Sequence, residues 1–196
     1  MRLFKKDYKT YSDEELMLLF QKGDKKALEQ IYHRYANHLV NFFYNKLWQD
    51  REKAEDATQD IFSKLIQKPA LFDASKNFKT WVFSVAFNRC KNEYKKQEVR
   101  KNVREEPEDN YQPKDSNIIA DELYDQQDFG QKLKQKLAEM NEKHSQVFKL
   151  RHEDGLSMKE IAEVLTLNEG TVKSRLHYAT KYLAEQLAVY QKLIAK

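Results

Sequence analysis

Between Lys26 and Gln49 the residues Leu28, Ile31, Tyr35, Leu39, Phe42 and Phe43 return at three- and four-residue steps. Only a helix gathers that spacing onto one face; a strand would scatter it over two. The stretch predicts a core-building helix, and whatever packs on it must bring stripes of the same kind. Four glycines and three prolines in 196 residues leave little of the punctuation that strands need. The expected fold class is all-α.

Matching stripes stand on both sides. Ser12 to Glu15 is a capping-box pattern that opens a helix carrying Leu16, Leu19 and Phe20, broken at Gly23-Asp24. Glu52 to Gln67 is a third helix with Ala54, Ala57, Ile61 and Leu65 inward. A loop from Gln67 to Asn77 follows, held by Pro69, anchored by Phe72, with Asp73 or Ser75 available as the next cap. Beyond Gly130 the periodicity resumes through Leu133, Leu137, Met140, Val147, Phe148 and Leu150. A second capping box, Ser157 to Glu160, starts a short helix with Ile161, Ala162 and Leu165. A tight connection, Thr166 to Asn168, leads into another, so that Ala162, Leu167, Val172 and Leu176 meet at the crossing of a helix-turn-helix.

Charge divides the chain in three. Residues 1–99 carry a net +5, residues 100–128 a net −5 and residues 129–196 a net +4. The middle segment has two prolines, nine acids and few apolar residues, too little to offset its ordering entropy, and reads as a flexible acidic linker between two small helical domains. Basic flanks permit a polyanionic partner, nucleic acid or a membrane surface. Cys90 is the single cysteine, so no disulfide framework exists; an apolar filler in a reducing cytoplasm is the expectation. No apolar run is long enough for a membrane span, and the start MRLFKKDYK lacks a signal peptide's apolar core. His33 and His38 are not spaced as a metal pair, and no metal or other cofactor is expected.

Three faces carry candidate chemistry. On a helix from Phe78 to Lys96, Val82, Val85, Ala86 and Arg89 share one side, while Trp81, Ser84, Asn88, Lys91 and Lys95 share another. The second stripe offers a ring for bases to stack on, a polar reader and cations for phosphates. By itself it is equally well a rim aromatic above solvated lysines. With the preceding loop it suggests a pocket for an extruded base. Asp56, Gln59 and Asp60 cluster on the third helix, a surface for a basic partner or a plain solvated face. Lys173, Arg175, His177, Tyr178 and Lys181 point outward from the second helix of the helix-turn-helix, and no acid occurs between Gly170 and Ala184, as a major-groove helix requires.

Together these residues resemble a bacterial sigma factor of the extracytoplasmic-function (ECF) group, in the sigma-70 family. Ala54 to Phe62 (AEDATQDIF) looks like the segment that docks on the clamp helices of RNA polymerase, Phe78 to Asn88 like the promoter-melting helix, and Gly170 to Leu176 (GTVKSRL) like the upstream-element recognition helix. The resemblance covers roughly residues 12–97 and 130–188. It implies a region 2 domain at 1–99, the acidic linker at 100–128 and a region 4 domain at 129–196. Asp56, Gln59, Asp60 and Phe62 would bind core RNA polymerase; Phe78, Lys79, Trp81, Asn88, Lys91 and Lys95 would hold the minus 10 element open. Thr171, Lys173, Ser174, Arg175, His177, Tyr178 and Lys181 would read the minus 35 element. The implied protein is a cytoplasmic initiation factor in a stress or envelope signal response. It would have no active site of its own, promoter DNA and an anti-sigma factor as further partners, and no membrane insertion. Asn92, Lys95 and Tyr178 depart from the Asp, Arg and Arg frequent in the family. Thr166 stands where many members have Gly, and since a β-branched residue resists positive φ the turn is expected to be built differently. The alternative function is a stand-alone helix-turn-helix regulator whose first domain senses a ligand or dimerises. An enzyme acting on nucleic acid is disfavoured by the lack of a metal constellation and a Gly-rich phosphate loop.

Overall fold

The computed structural model describes residues 6–103 and 124–190, all helix, turn and loop, in two compact units. The middle of the acidic segment, 104–123, lies outside the described residues.

The first unit is a bundle. Helix α1 (Asp13–Gln21) begins at Ser12, whose hydroxyl accepts from the Glu15 N–H while the Glu15 carboxylate accepts from the Ser12 N–H, the reciprocal pair of a capping box. Gly23, at φ +97°, turns the chain where a side chain would be strained. Helix α2 (Lys25–Lys46) carries the foreseen stripe, with Ile31, Leu39 and Phe43 fully buried. It stops three residues before Gln49, because Trp48 and Gln49 both turn left-handed, φ 54° and 57°, to reverse the chain. Helix α3 (Arg51–Gln67), capped by Asp50, packs Ala54, Ala57, Ile61 and Leu65 against α2.

A short 3-10 turn (Pro69–Leu71) then leads to α4 (Phe78–Val103), whose 26 residues span about 39 Å at 1.5 Å per residue. The helix thus continues past Lys96 into the first residues of the acidic segment. Neither Asp73 nor Ser75 caps it. Asp73 accepts from Ser75, while the Asn77 amide oxygen accepts from the Thr80 N–H at 2.8 Å and Glu14, on α1, accepts from the Phe78 N–H at 2.9 Å. Gln21 donates to the carbonyls of Pro69 and Phe72, pinning the loop to α1.

Rings join these helices. Phe78 meets Tyr35 at 5.3 Å and Phe72 at 5.1 Å, and Phe42 meets Phe83 at 5.6 Å, all edge to face. Tyr35 donates to Asp13; burial first, and then that bond, raise its phenol well above the usual range. Arg34 ties the N-terminal strap down through Asp13 at 2.6 Å and the carbonyls of Tyr8, Lys9 and Tyr11.

Beyond the acidic segment come α5 (Tyr124–Glu139), α6 (Glu142–His152), α7 (Met158–Leu165) and α8 (Glu169–Gln186). Helix α5 begins within the acidic segment, ahead of residue 129. Leu137 and Met140 bury against Ala179, Leu183 and Leu187, flanked by Phe129, Leu133 and Phe148. Ser157 and Glu160 form the second capping box. Thr166 then takes φ +57°, against the expectation that a β-branched residue would avoid it. The return is a Schellman closure: the Leu167 N–H donates to the Ala162 carbonyl at 2.9 Å, and the next residue, Asn168, caps α8 through the Thr171 N–H at 2.7 Å. The turn keeps a glycine's geometry without a glycine.

Candidate nucleic-acid and polymerase interfaces

On α4, Trp81 is half-buried, resting on Phe72 at 5.3 Å and Phe78 at 5.7 Å. Its ring is fixed by two buried rings and keeps an edge in solvent. Phe78 itself is 0% exposed, so it is corrected from a DNA-facing residue to the floor beneath Trp81. Lys79 is half-buried, whereas Asn88, Lys91 and Lys95 are exposed. Lys91 lies over the Phe87 ring, Nζ 4.6 Å from its centroid, which steadies the ammonium along the helix. Phe87, three residues after Ser84 and four before Lys91, borders the same stripe, and the motif does not single it out. Ser84 is not a free polar group, since its hydroxyl donates to the Thr80 carbonyl.

On α3, Asp56, Gln59 and Asp60 stand exposed as one patch. Phe62 is 4% exposed and packs edge to face on Tyr32, centroids 4.8 Å apart; it is corrected to a core residue, with Tyr32, 42% exposed, as the aromatic at the surface. Asp60 is engaged within the unit: its carboxylate accepts from Arg89 of α4 at 2.7 Å. Arg89, read from the spacing as part of the dry side, therefore bridges the acidic patch to the helix bearing Trp81. Such a bridge is invisible without the angle between α3 and α4.

On α8, Lys173, Ser174, His177, Tyr178 and Lys181 are exposed and Thr171 and Arg175 half-buried, while Val172, Ala179 and Leu183 face the core. The basic residues of the acid-free stretch lie on the outer side. From Gly170 to Ala184 the helix carries cations and no carboxylate, with Glu169 and Glu185 confined to its two ends, a local electrostatics that suits phosphates. Among the described residues no cluster of His, Cys, Asp and Glu is arranged to hold a metal ion, and no helix is long and apolar enough to cross a membrane.

A helical bundle with an aromatic and basic helix, followed by a helix-turn-helix, defines the class, and the comparisons agree. Residues 31–100 match the model of sigma-70 region 2 and residues 130–183 that of sigma-70, region 4. The ECF RNA polymerase sigma factor SigW of Bacillus subtilis is 28% identical over 85% of this chain and 92% of its own length. The ECF RNA polymerase sigma factor RpoE of Cereibacter sphaeroides is 27% identical over 84% of this chain and 88% of its own. Among solved structures, the sigma factor RpoE in complex with the anti-sigma factor NepR, from Bartonella quintana, matches with a TM-score of 0.62. That match covers 84% of this chain and 98% of that one at 23% identity, a likeness of fold. The chain belongs to the sigma-70 family of RNA polymerase sigma factors, and within it to the ECF group.

Proposed function

We propose that this sigma factor binds core RNA polymerase with its first unit, opens the minus 10 element on the outer face of α4, and reads the minus 35 element with α8. The observation that carries the reading is the exposed basic stretch of α8 between Gly170 and Ala184, free of acids, in the same chain as the exposed Asp56, Gln59 and Asp60 patch of α3. One face suits phosphates and base edges, and the other suits a basic protein surface.

Trp81, on its two-ring support, offers a fixed edge on which an unstacked base can rest, with Asn88, Lys91 and Lys95 following along the helix at about 1.5 Å per residue. Lys79 begins the same track. Asp56 and Gln59 make the direct contacts to polymerase, and Asp60 orients Arg89 as well as facing the partner. Lys173, Arg175 and Lys181 take phosphates or guanine edges, with Thr171, Ser174, His177 and Tyr178 between them. Phosphodiester synthesis belongs to the polymerase, so the chain acts as a specificity factor and not as an enzyme. Residues 1–99 and 129–196 are the two working domains, with the acidic linker from 100 to 128 between them. The structural relative captured with an anti-sigma factor supports a partner of that kind for this chain; action in the cytoplasm under a stress or envelope signal is part of the same proposal.

The test is assembly. Mixed with sigma-free bacterial core polymerase, the full chain should co-elute with it and confer retention of promoter fragments that neither component retains alone. Tight duplex binding by the chain alone, with no polymerase complex, would replace this reading with a stand-alone regulator.

A further inference from the structure

Tyr178 is 56% exposed, a large ring in water on the outer side of α8. It is nevertheless held. His144, which comes from α6, lies nearly parallel against it, with centroids 5.7 Å and planes 22° apart. His177 meets the ring edge-on at 5.8 Å. Helix α6 is a firm base for such a support, since it packs on α8, buries Val147 and Leu150 and is capped by Asn141. His144 itself is only half-buried, so core packing does not account for an aromatic ring there.

We propose that His144 is a positioning residue for promoter recognition. It holds the Tyr178 ring in advance, so that Tyr178 discriminates the base pair at one place in the upstream element in addition to any phosphate contact. This rests on the sigma-factor reading above. A tyrosine free to rotate loses side-chain freedom when DNA orders it and settles as readily on a phosphate as on a base edge. A ring already fixed by stacking meets that cost before DNA arrives, and can press an apolar surface against a thymine methyl in the major groove. Exposed neighbours one turn away on either side, Ser174 and Lys181, supply the polar anchors that would keep the ring in register on the duplex.

The experiment assembles the full chain with core polymerase and selects from promoter fragments randomised across the upstream element. Tyr178→Ala should flatten base preference at one position. His144→Ala should reduce preference at that same position by about two- to tenfold, the worth of one aromatic pair. His144→Phe should restore it, and the double alanine variant should match Tyr178→Ala alone. Losses that add in the double variant, an unchanged profile, or an equal fall across all sequences would each overturn the pairing. His144→Leu, which keeps bulk without a ring, decides the matter if the alanine variant fails to fold: lost preference in a folded chain is expected, and retained preference refutes it. A wild-type holoenzyme that selects no promoter at all fails the sigma-factor reading and the proposal with it, whereas selection by the wild type that His144→Ala leaves untouched fails only the proposal.

Discussion

Replacing Thr166 by glycine should stabilise the helix-turn-helix unit, an uncommon sign for a substitution to Gly. Thr166 holds φ +57°, where an L side chain costs about 1–2 kcal/mol and β-branching adds crowding. Its side chain is exposed, so trimming it uncovers no packing. The Schellman bond from Leu167 to Ala162 and the Asn168 cap use other groups and survive. Against the gain stands the wider freedom of glycine in the unfolded chain, about 0.5–1 kcal/mol. The difference is a net gain of about 0–1.5 kcal/mol, centred at about 0.7. Both tryptophans, Trp48 and Trp81, lie in the first unit, so their fluorescence does not report on this change. Hydrogen–deuterium exchange of the α7 and α8 amides in the full chain does, and should slow by about two- to fivefold where exchange needs that unit to open. Thr166→Ala, which stays strained, should gain less. A destabilised glycine variant, or one no better than alanine, would refute the assignment of strain to this turn.

Other perturbations reach the remaining faces. Trp81→Ala should leave polymerase binding intact but slow opening of a duplex promoter, by a stacking loss of about 1–3 kcal/mol; a pre-melted promoter should erase the defect, and equal defects on both templates would remove Trp81 from opening. Arg175→Ala should cost about 1–3 kcal/mol at one promoter position if it forks onto guanine, read by binding to single-base variants, whereas a uniform fall would make it a phosphate contact. Asp56→Ala with Gln59→Ala should weaken the polymerase complex with no change in thermal unfolding, since both side chains are exposed; unchanged affinity would move the docking surface elsewhere. Cys90 is 1% exposed, and burial pushes its thiol up to about 12. Native protein should therefore resist a thiol reagent at pH 8 and label on unfolding. Because the folded thiol holds its proton where the unfolded one releases it, that contribution to stability is present below about pH 9 and is lost as pH rises toward 12. Rapid native labelling would contradict the burial.

The helices were legible because their stripes are. Ile31, Leu39 and Phe43 on α2 and Ala54, Ala57 and Leu65 on α3 occupy the buried positions their spacing assigns, and both Ser-to-Glu capping boxes close as written. What the pattern withheld depends on contacts distant in sequence. Asn77, and not Asp73 or Ser75, starts α4, and the partner that completes the start is Glu14, on another helix. Phe62 and Phe78 belong to motif segments, but membership of a motif does not say which side of the helix a residue faces, and both face in. Arg89 meets Asp60, and His144 meets Tyr178, only because separate helices cross at particular angles. Thr166 shows the reverse case: local preference spoke against a left-handed turn, and two capping bonds outweighed it.

The most direct measurement is run-off transcription: purified chain added to sigma-free bacterial core polymerase on a pool of promoter fragments. Discrete transcripts that depend on the chain are expected, weakened by Trp81→Ala on duplex templates and by Arg175→Ala. No chain-dependent transcript, alongside tight duplex binding by the chain alone, would contradict the sigma-factor reading.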